Sequence, residues 1–194
     1  MSEFELKRDK GLNEVANGCH SLAIAYEENP DFYVFQSTSN IQNPDLLIIG
    51  ANPGRYETYK DRIKILKENK DKERRYADDL EYDSNQYIEN ENNSNWKINK
   101  PIIKMFTEPD ARLVLENSVI MNVVYFNTSK VNDLKKFRNG NEMINFCIGK
   151  TKEFVYEILK PKNILFLGMD APKWMEVKFD KKTDTVLEND EKLF

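Results

Sequence analysis

One histidine and two cysteines are all the imidazole and thiolate that 194 residues offer. Cys19 and Cys147 lie far apart, with no Cys-x-x-Cys and no Cys/His cluster beside either, which argues against a metal centre or a disulfide framework. His20 borders a stripe of Leu12, Val15, Cys19, Leu22, Ala23 and Tyr26 at helical spacing, and it reads as a helix-flank residue rather than a ligand. No metal and no cofactor are expected.

Long apolar runs are lacking as well. No stretch approaches the roughly 20 apolar residues of a membrane span, and the opening "MSEFELKRDKG" has no signal-peptide core. The sequence therefore predicts no membrane partner and a cytoplasmic or otherwise intracellular location. Positive charge is in deficit, with 29 Lys and Arg against 33 Asp and Glu, a net charge of -4 and a pI near 5.3. That balance excludes a surface basic throughout, because duplex affinity draws mainly on Lys and Arg neutralising phosphates; a local basic patch stays open. The length and a hydrophobic share of 40% fit one domain over residues 1–194.

What is present is an alternation of short apolar runs with amphipathic ones. After the helix that carries His20, "NPDFYVFQSTSN" predicts a strand or extended segment. "NPDLLIIG" is a continuous apolar run bounded by turn residues, the mark of a strand buried on both faces. From Thr58 to Asn95 the chain is polar, basic from Lys60 to Arg75 and acidic after. Ile63 and Leu66 anchor a helix in its first part, and "IENENNSN" reads as exposed loop. The basic run fits either a solvated helix face or a phosphate-binding element.

Short helices are predicted over "NSNWKINKPIIKMF" and "PDARLVLEN", a second buried strand over "SVIMNVVYFNTSK", a long helix over "NEMINFCIGKTKEFVYEILK" and a third strand over "PKNILFLG". In "DAPKWMEV", Asp170 is the expected N-cap of a further helix, with Pro172 early in it. Strands alternating with helices predict an α/β fold, three-layer α/β/α around a short central parallel sheet. Ligands bind beyond the carboxyl ends of such strands, so "GANPG", "NTSK" and "GMDAP" should gather on one rim.

Two asparagines stand out there. Asn122 interrupts an apolar strand, where an amide costs free energy unless its partners are supplied; it either bonds a neighbouring loop or serves a ligand. Asn52 precedes Pro53, which biases it to extended dihedrals, and Gly54 permits a close approach or a positive φ. Such a turn either serves as a generic strand exit or aims Asn52 and several backbone N–H groups into one pocket. Asn127, Thr128, Ser129 and Lys130 add polar groups nearby, with nothing in their spacing to set them above ordinary loop residues.

Together, "LLIIGANPG", "VIMNVVYFN" and "PKNILFLG" resemble the uracil-DNA glycosylase superfamily over roughly residues 32–174, most nearly its mismatch-specific and single-strand-selective branches, whose first motif reads G-x-N-P-G. The resemblance implies DNA or a nucleobase as partner and a cofactor-free hydrolysis of the N-glycosidic bond of uracil or a related base. By that resemblance Asn52 would position the attacking water and Asn122 would pair with the edge of the flipped base. Ala51, Pro53, Gly54 and Tyr56 would line the base pocket, with Arg55 and Lys130 placed for phosphate contact. An aromatic platform is also expected, with Tyr56 and Tyr59 nearest and Tyr76 and Tyr82 as further choices.

The superfamily's second motif, His-Pro-Ser or Asn-Pro-Ser after the last core strand, does not occur. In its members that motif stabilises charge on the departing base, help often worth about 3–4 kcal/mol. After Trp174 the chain reads "MEVKFDKKTDTVLENDEKLF", in which "VKF" and "TVL" offer a short hairpin at most. A fourth strand is thus expected to be missing and a sheet edge exposed. Three explanations stand side by side: a shortened homologue, a truncated product, or a fold reused without excision to bind a base, DNA or a protein partner.

Overall fold

The computed structural model describes residues 1–54, 57–68, 80, 84–93 and 99–177. Helix α1 (Glu3–Ile24) opens on a capping box in which Ser2 Oγ accepts from the Glu5 N–H and Glu5 accepts from the Ser2 N–H. It buries Leu12, Val15, Ala16, Cys19 and Ala23, close to the stripe read from the sequence.

Three strands make the sheet: β1 (Leu47–Gly50), β2 (Val119–Asn122) and β3 (Ile164–Phe166), all parallel, in the order β2-β1-β3. Alternate side chains leave opposite faces of a strand. Leu47, Ile49, Val119 and Met121 accordingly pack with α1, with α6 (Gly140–Glu153) and with the π-helical turn Phe154–Leu159. Ile48 and Ile120 face the other way, onto Tyr87 of α3 (Gln86–Glu89), Ile102 of α4 (Asn99–Met105) and Leu115 of α5 (Pro109–Glu116). β1 and β2 buried on both faces between two helical layers, with half-buried β3 beside β1, make the α/β/α arrangement that the pattern predicts.

The extended segment after α1 shields the free edge of β2. Phe32 and Phe35 bridge antiparallel to Phe126 and Met121, and Gln36 N–H donates to Ile120 O at 2.8 Å. Covering an edge this way removes a template for unwanted pairing. Among the described residues no strand lies on the outer edge of β3. The hairpin expected from "VKF" and "TVL" falls largely in 178–194, outside the described residues.

Four local expectations need correction. The regular strand in "SVIMNVVYFNTSK" is four residues long, and beyond it Phe126 forms an isolated bridge to Phe32. The start of "IENENNSN" is helical: Asn85 caps α3 by accepting from the Tyr87 and Ile88 N–H groups, and buried Tyr87 docks it. The long helix over 141–160 divides at Glu153 into α6 and the π-helical turn, ending at Lys160 in the left-handed region. Asp170 is the first residue of α7 (Asp170–Trp174), not its cap; Met169 holds that position without a side-chain bond.

The run from Lys60 to Arg75 begins in α2 (Tyr59–Glu68), and there one of its cations turns inward. Arg62 donates to Asp31 Oδ1 at 2.7 Å, with the Asp31 side chain wholly out of water, and its guanidinium lies 5.2 Å from the Tyr33 ring centre. Burial pushes the Asp31 carboxyl above its ordinary range, against the opposing pull of Arg62. Such a carboxyl binds its proton more tightly when folded, so its contribution to stability is present at low pH and is lost as pH rises through the raised value. Arg62→Met strands the charge, and should cost about 3 kcal/mol near neutral pH. The deficit should narrow as Asp31 takes up its proton in mildly acidic buffer; urea melts at the two pH values check this, and an equal deficit at both would count against a buried charge.

Candidate functional site

The three strand exits meet, as the topology requires, at the carboxyl end of the sheet. Val123 and Val124 N–H donate to Gly50 O at 2.9 Å and Ala51 O at 3.0 Å, which holds the exits of β1 and β2 side by side. Leu167 N–H donates to Ile49 O at 2.9 Å and brings in the exit of β3. Asp170, Ala171 and Trp174 of α7 close on Ala51, Val123 and Val131 around a crevice too narrow to seat a water molecule.

Asn122 stands directly across from Gly50 in the β1–β2 register. Its side chain lies over that glycine, where a Cβ would come within 2.7 Å of Asn122 Oδ1. The residue is 4% exposed, and its Nδ2 is buried with no hydrogen-bond partner. The amide nitrogen therefore does not bond a neighbouring loop. Strand alternation puts Asn122 on the α3–α5 side, whereas Ala51 and Val123 pack with the α1 core. The crevice and the asparagine are thus on opposite faces of the rim.

Asn52 is half-buried in the turn beyond β1. Its Nδ2 donates to Thr128 O at 2.6 Å and to Thr128 Oγ1 at 3.2 Å. Thr128 is 2% exposed, and its hydroxyl donates to Lys130 O at 2.9 Å. Nothing in the spacing marks Thr128; its role depends on a turn that carries it back across the sheet. Ala51, Pro53 and Gly54 are half-buried beside Asn52, with Gly54 at φ 82°, the positive value its position allows. Lys130 is exposed.

Other expected residues stand elsewhere. Arg55, Tyr56, Tyr76 and Tyr82 lie outside the described residues, as does the basic run beyond Glu68. Tyr59 is not available as a base platform: it is 3% exposed, stacked on Phe32 with centroids 5.6 Å apart, and its hydroxyl is 2.6 Å from His20 Nδ1. Burial holds His20 below the ordinary imidazole range. Lys60 pairs with Glu27 at 2.9 Å, and Arg62 serves Asp31. Cys19 and Cys147, distant in sequence, are both buried free thiols, and Cys147 Sγ accepts from the Tyr125 N–H at 3.5 Å. Burial pushes the Cys19 thiol up, the environment of an inert rather than a reactive cysteine. Among the described residues no group of three His, Cys, Asp or Glu is placed to hold a metal ion.

No family model, curated protein or solved structure matches the chain.

The contact between Gly50 and Asn122 is open to a double-mutant cycle. Gly50→Ala should destabilise by about 1–3 kcal/mol, the usual cost of forcing a group into occupied space. In the Asn122→Ala background most of that cost should vanish, since the clashing amide is gone. Urea melts of the four proteins check the coupling, and strict additivity would place the strain somewhere else.

Proposed function

We propose that the rim binds a nucleobase in the manner of a uracil-DNA glycosylase, with Asn122 pairing to the base edge and Asn52 orienting water for metal-free hydrolysis of the N-glycosidic bond of uracil or a related base in DNA. The observation that carries the reading is the unpartnered Nδ2 of Asn122. A buried donor without an acceptor costs about 1–3 kcal/mol, and a core strand has no structural use for it. Beside a glycine that opens the strand, at the end of a parallel sheet where ligands bind, such a donor is suited to a carbonyl acceptor brought from outside. Asn52, held by its nitrogen, keeps its oxygen for a water proton.

A second reading is favoured by a specific observation: base recognition without excision, by a module that holds a base, DNA or a protein partner. His20, the one imidazole of the sequence, is bonded to Tyr59. With that imidazole committed to Tyr59, it is not at hand to stabilise charge on a departing base, and the rate would suffer by the factor that such a group supplies.

End-labelled DNA bearing one uracil in single-stranded, U:A and U:G contexts, followed by alkaline cleavage of abasic sites, separates the two. If hydrolysis occurs, Asn52→Ala should lower the rate by at least about a hundredfold while leaving DNA affinity within about twofold. Asn122→Ala should flatten the preference among bases. Intact DNA with wild-type protein that still binds uracil-containing strands would leave recognition alone; binding that persists unchanged in both variants would move the interaction off the rim.

A further inference from the structure

We propose that Thr128 is a positioning residue for Asn52, fixing which end of its amide faces the rim; the inference rests on the reading of Asn52 as the group that orients water. Donor and acceptor chemistry dictates the arrangement. The Thr128 carbonyl can only accept, and the Thr128 hydroxyl gives its one proton to Lys130 O at 2.9 Å. Both Thr128 oxygens within reach of Asn52, at 2.6 and 3.2 Å, are thus acceptors. Asn52 must turn its NH₂ towards them, because the reversed amide would set Oδ1 against two oxygens with no proton between them.

The oxygen of Asn52 is left pointing away from Thr128 as an acceptor. That is the polarity needed to take one proton of a water and aim its lone pair at an electrophilic carbon. Thr128 is itself held: it is 2% exposed, and its bond to Lys130 O closes the local turn. The hydroxyl does two things at once. It adds a second acceptor for Asn52 and stiffens the backbone whose carbonyl is the first.

A residue that merely closed a turn would affect folding and leave the Asn52 amide unconstrained. The amide itself therefore supplies a readout that needs no activity. In ¹⁵N–¹H spectra the Asn52 side-chain NH₂ pair is identified as the pair missing from Asn52→Asp, and its exchange with solvent is measured in the wild type, Thr128→Val and Thr128→Ser. Exchange should quicken about fivefold in Thr128→Val, the factor one ordinary hydrogen bond gives, and return to the wild-type rate in Thr128→Ser. Thr128→Ala serves as a second variant without the hydroxyl should valine disturb packing. Equal exchange in the wild type and the variants without the hydroxyl would overturn the proposal.

Single-turnover excision from a uracil-bearing single strand gives the second arm. Thr128→Val should lower the rate constant about fivefold at an unchanged half-saturating DNA concentration, with Thr128→Ser restoring it. A matched loss of rate and affinity that serine fails to rescue would show a structural role and overturn positioning. If the wild-type protein leaves uracil in place, the hydrolysis reading fails, while the exchange measurement still decides what Thr128 does to Asn52.

Discussion

The parallel register of β1 against β2 puts Gly50 opposite Asn122, and the rim is built on that pairing. A slip of one residue would turn every side chain of β2 to the other face. Val119 and Met121 would leave the larger core and Asn122 would leave the glycine. Two apolar cores, one on each face of the sheet, hold the register, and the polar group at the strand end follows their demand. The same register lets Val123 and Val124 continue donating to Gly50 and Ala51, which fixes where the Asn52 turn begins.

Five buried side-chain atoms among the described residues have no partner: Asn29 Oδ1, Asp31 Oδ2, Asn122 Nδ2, Asn127 Oδ1 and Asn139 Oδ1. Four are oxygens, and in three of those residues another side-chain atom is bonded; the fourth, Asn127, is tied through its backbone N–H to Asp31 O at 2.7 Å. Asn29 and Asn139 both donate through Nδ2 to Leu22 O, and Asp31 holds Arg62 through its other oxygen. Asn122 is the one whose unpartnered atom is a nitrogen. It also stands across from Gly50 at the carboxyl end of β2, where a parallel sheet takes its ligands. That placement is what the proposed role of Asn122 draws on, while Asn29 and Asn139, bonded to Leu22 O, are read as structural.

The sheet and most of its helices were legible because apolar period and length speak locally. "LLIIG" and "ILF" are too short and too uniformly apolar for amphipathic helices, and the turns around them punctuate their ends. Asn52 and Asn122 were legible because an amide in an apolar context is conspicuous. Thr128 was not, since its contact with Asn52 spans 76 residues and a loop threonine leaves no periodic trace. The inward turn of Arg62 was hidden for a similar reason: a charge run reads as solvated until the buried Asp31 beside it is known. The π-helical turn after α6 packs on α1, a tertiary contact that no local propensity encodes.

Arg62 also bears on how a negatively charged polymer can approach this chain. A guanidinium committed to a buried carboxylate is neutralised, so it adds little to the field outside. Lys60, exposed but paired to Glu27, contributes a partly cancelled charge. Of the cations described in this region, Lys130 stands exposed two residues from Thr128, on the loop that holds Asn52. Phosphate contact there would draw on the same turn that orients the amide. The strand would then be anchored where the amide acts. For a protein of net charge -4, the proposed contact with a nucleic acid would thus draw, among the described residues, on Lys130 and the same turn that orients Asn52.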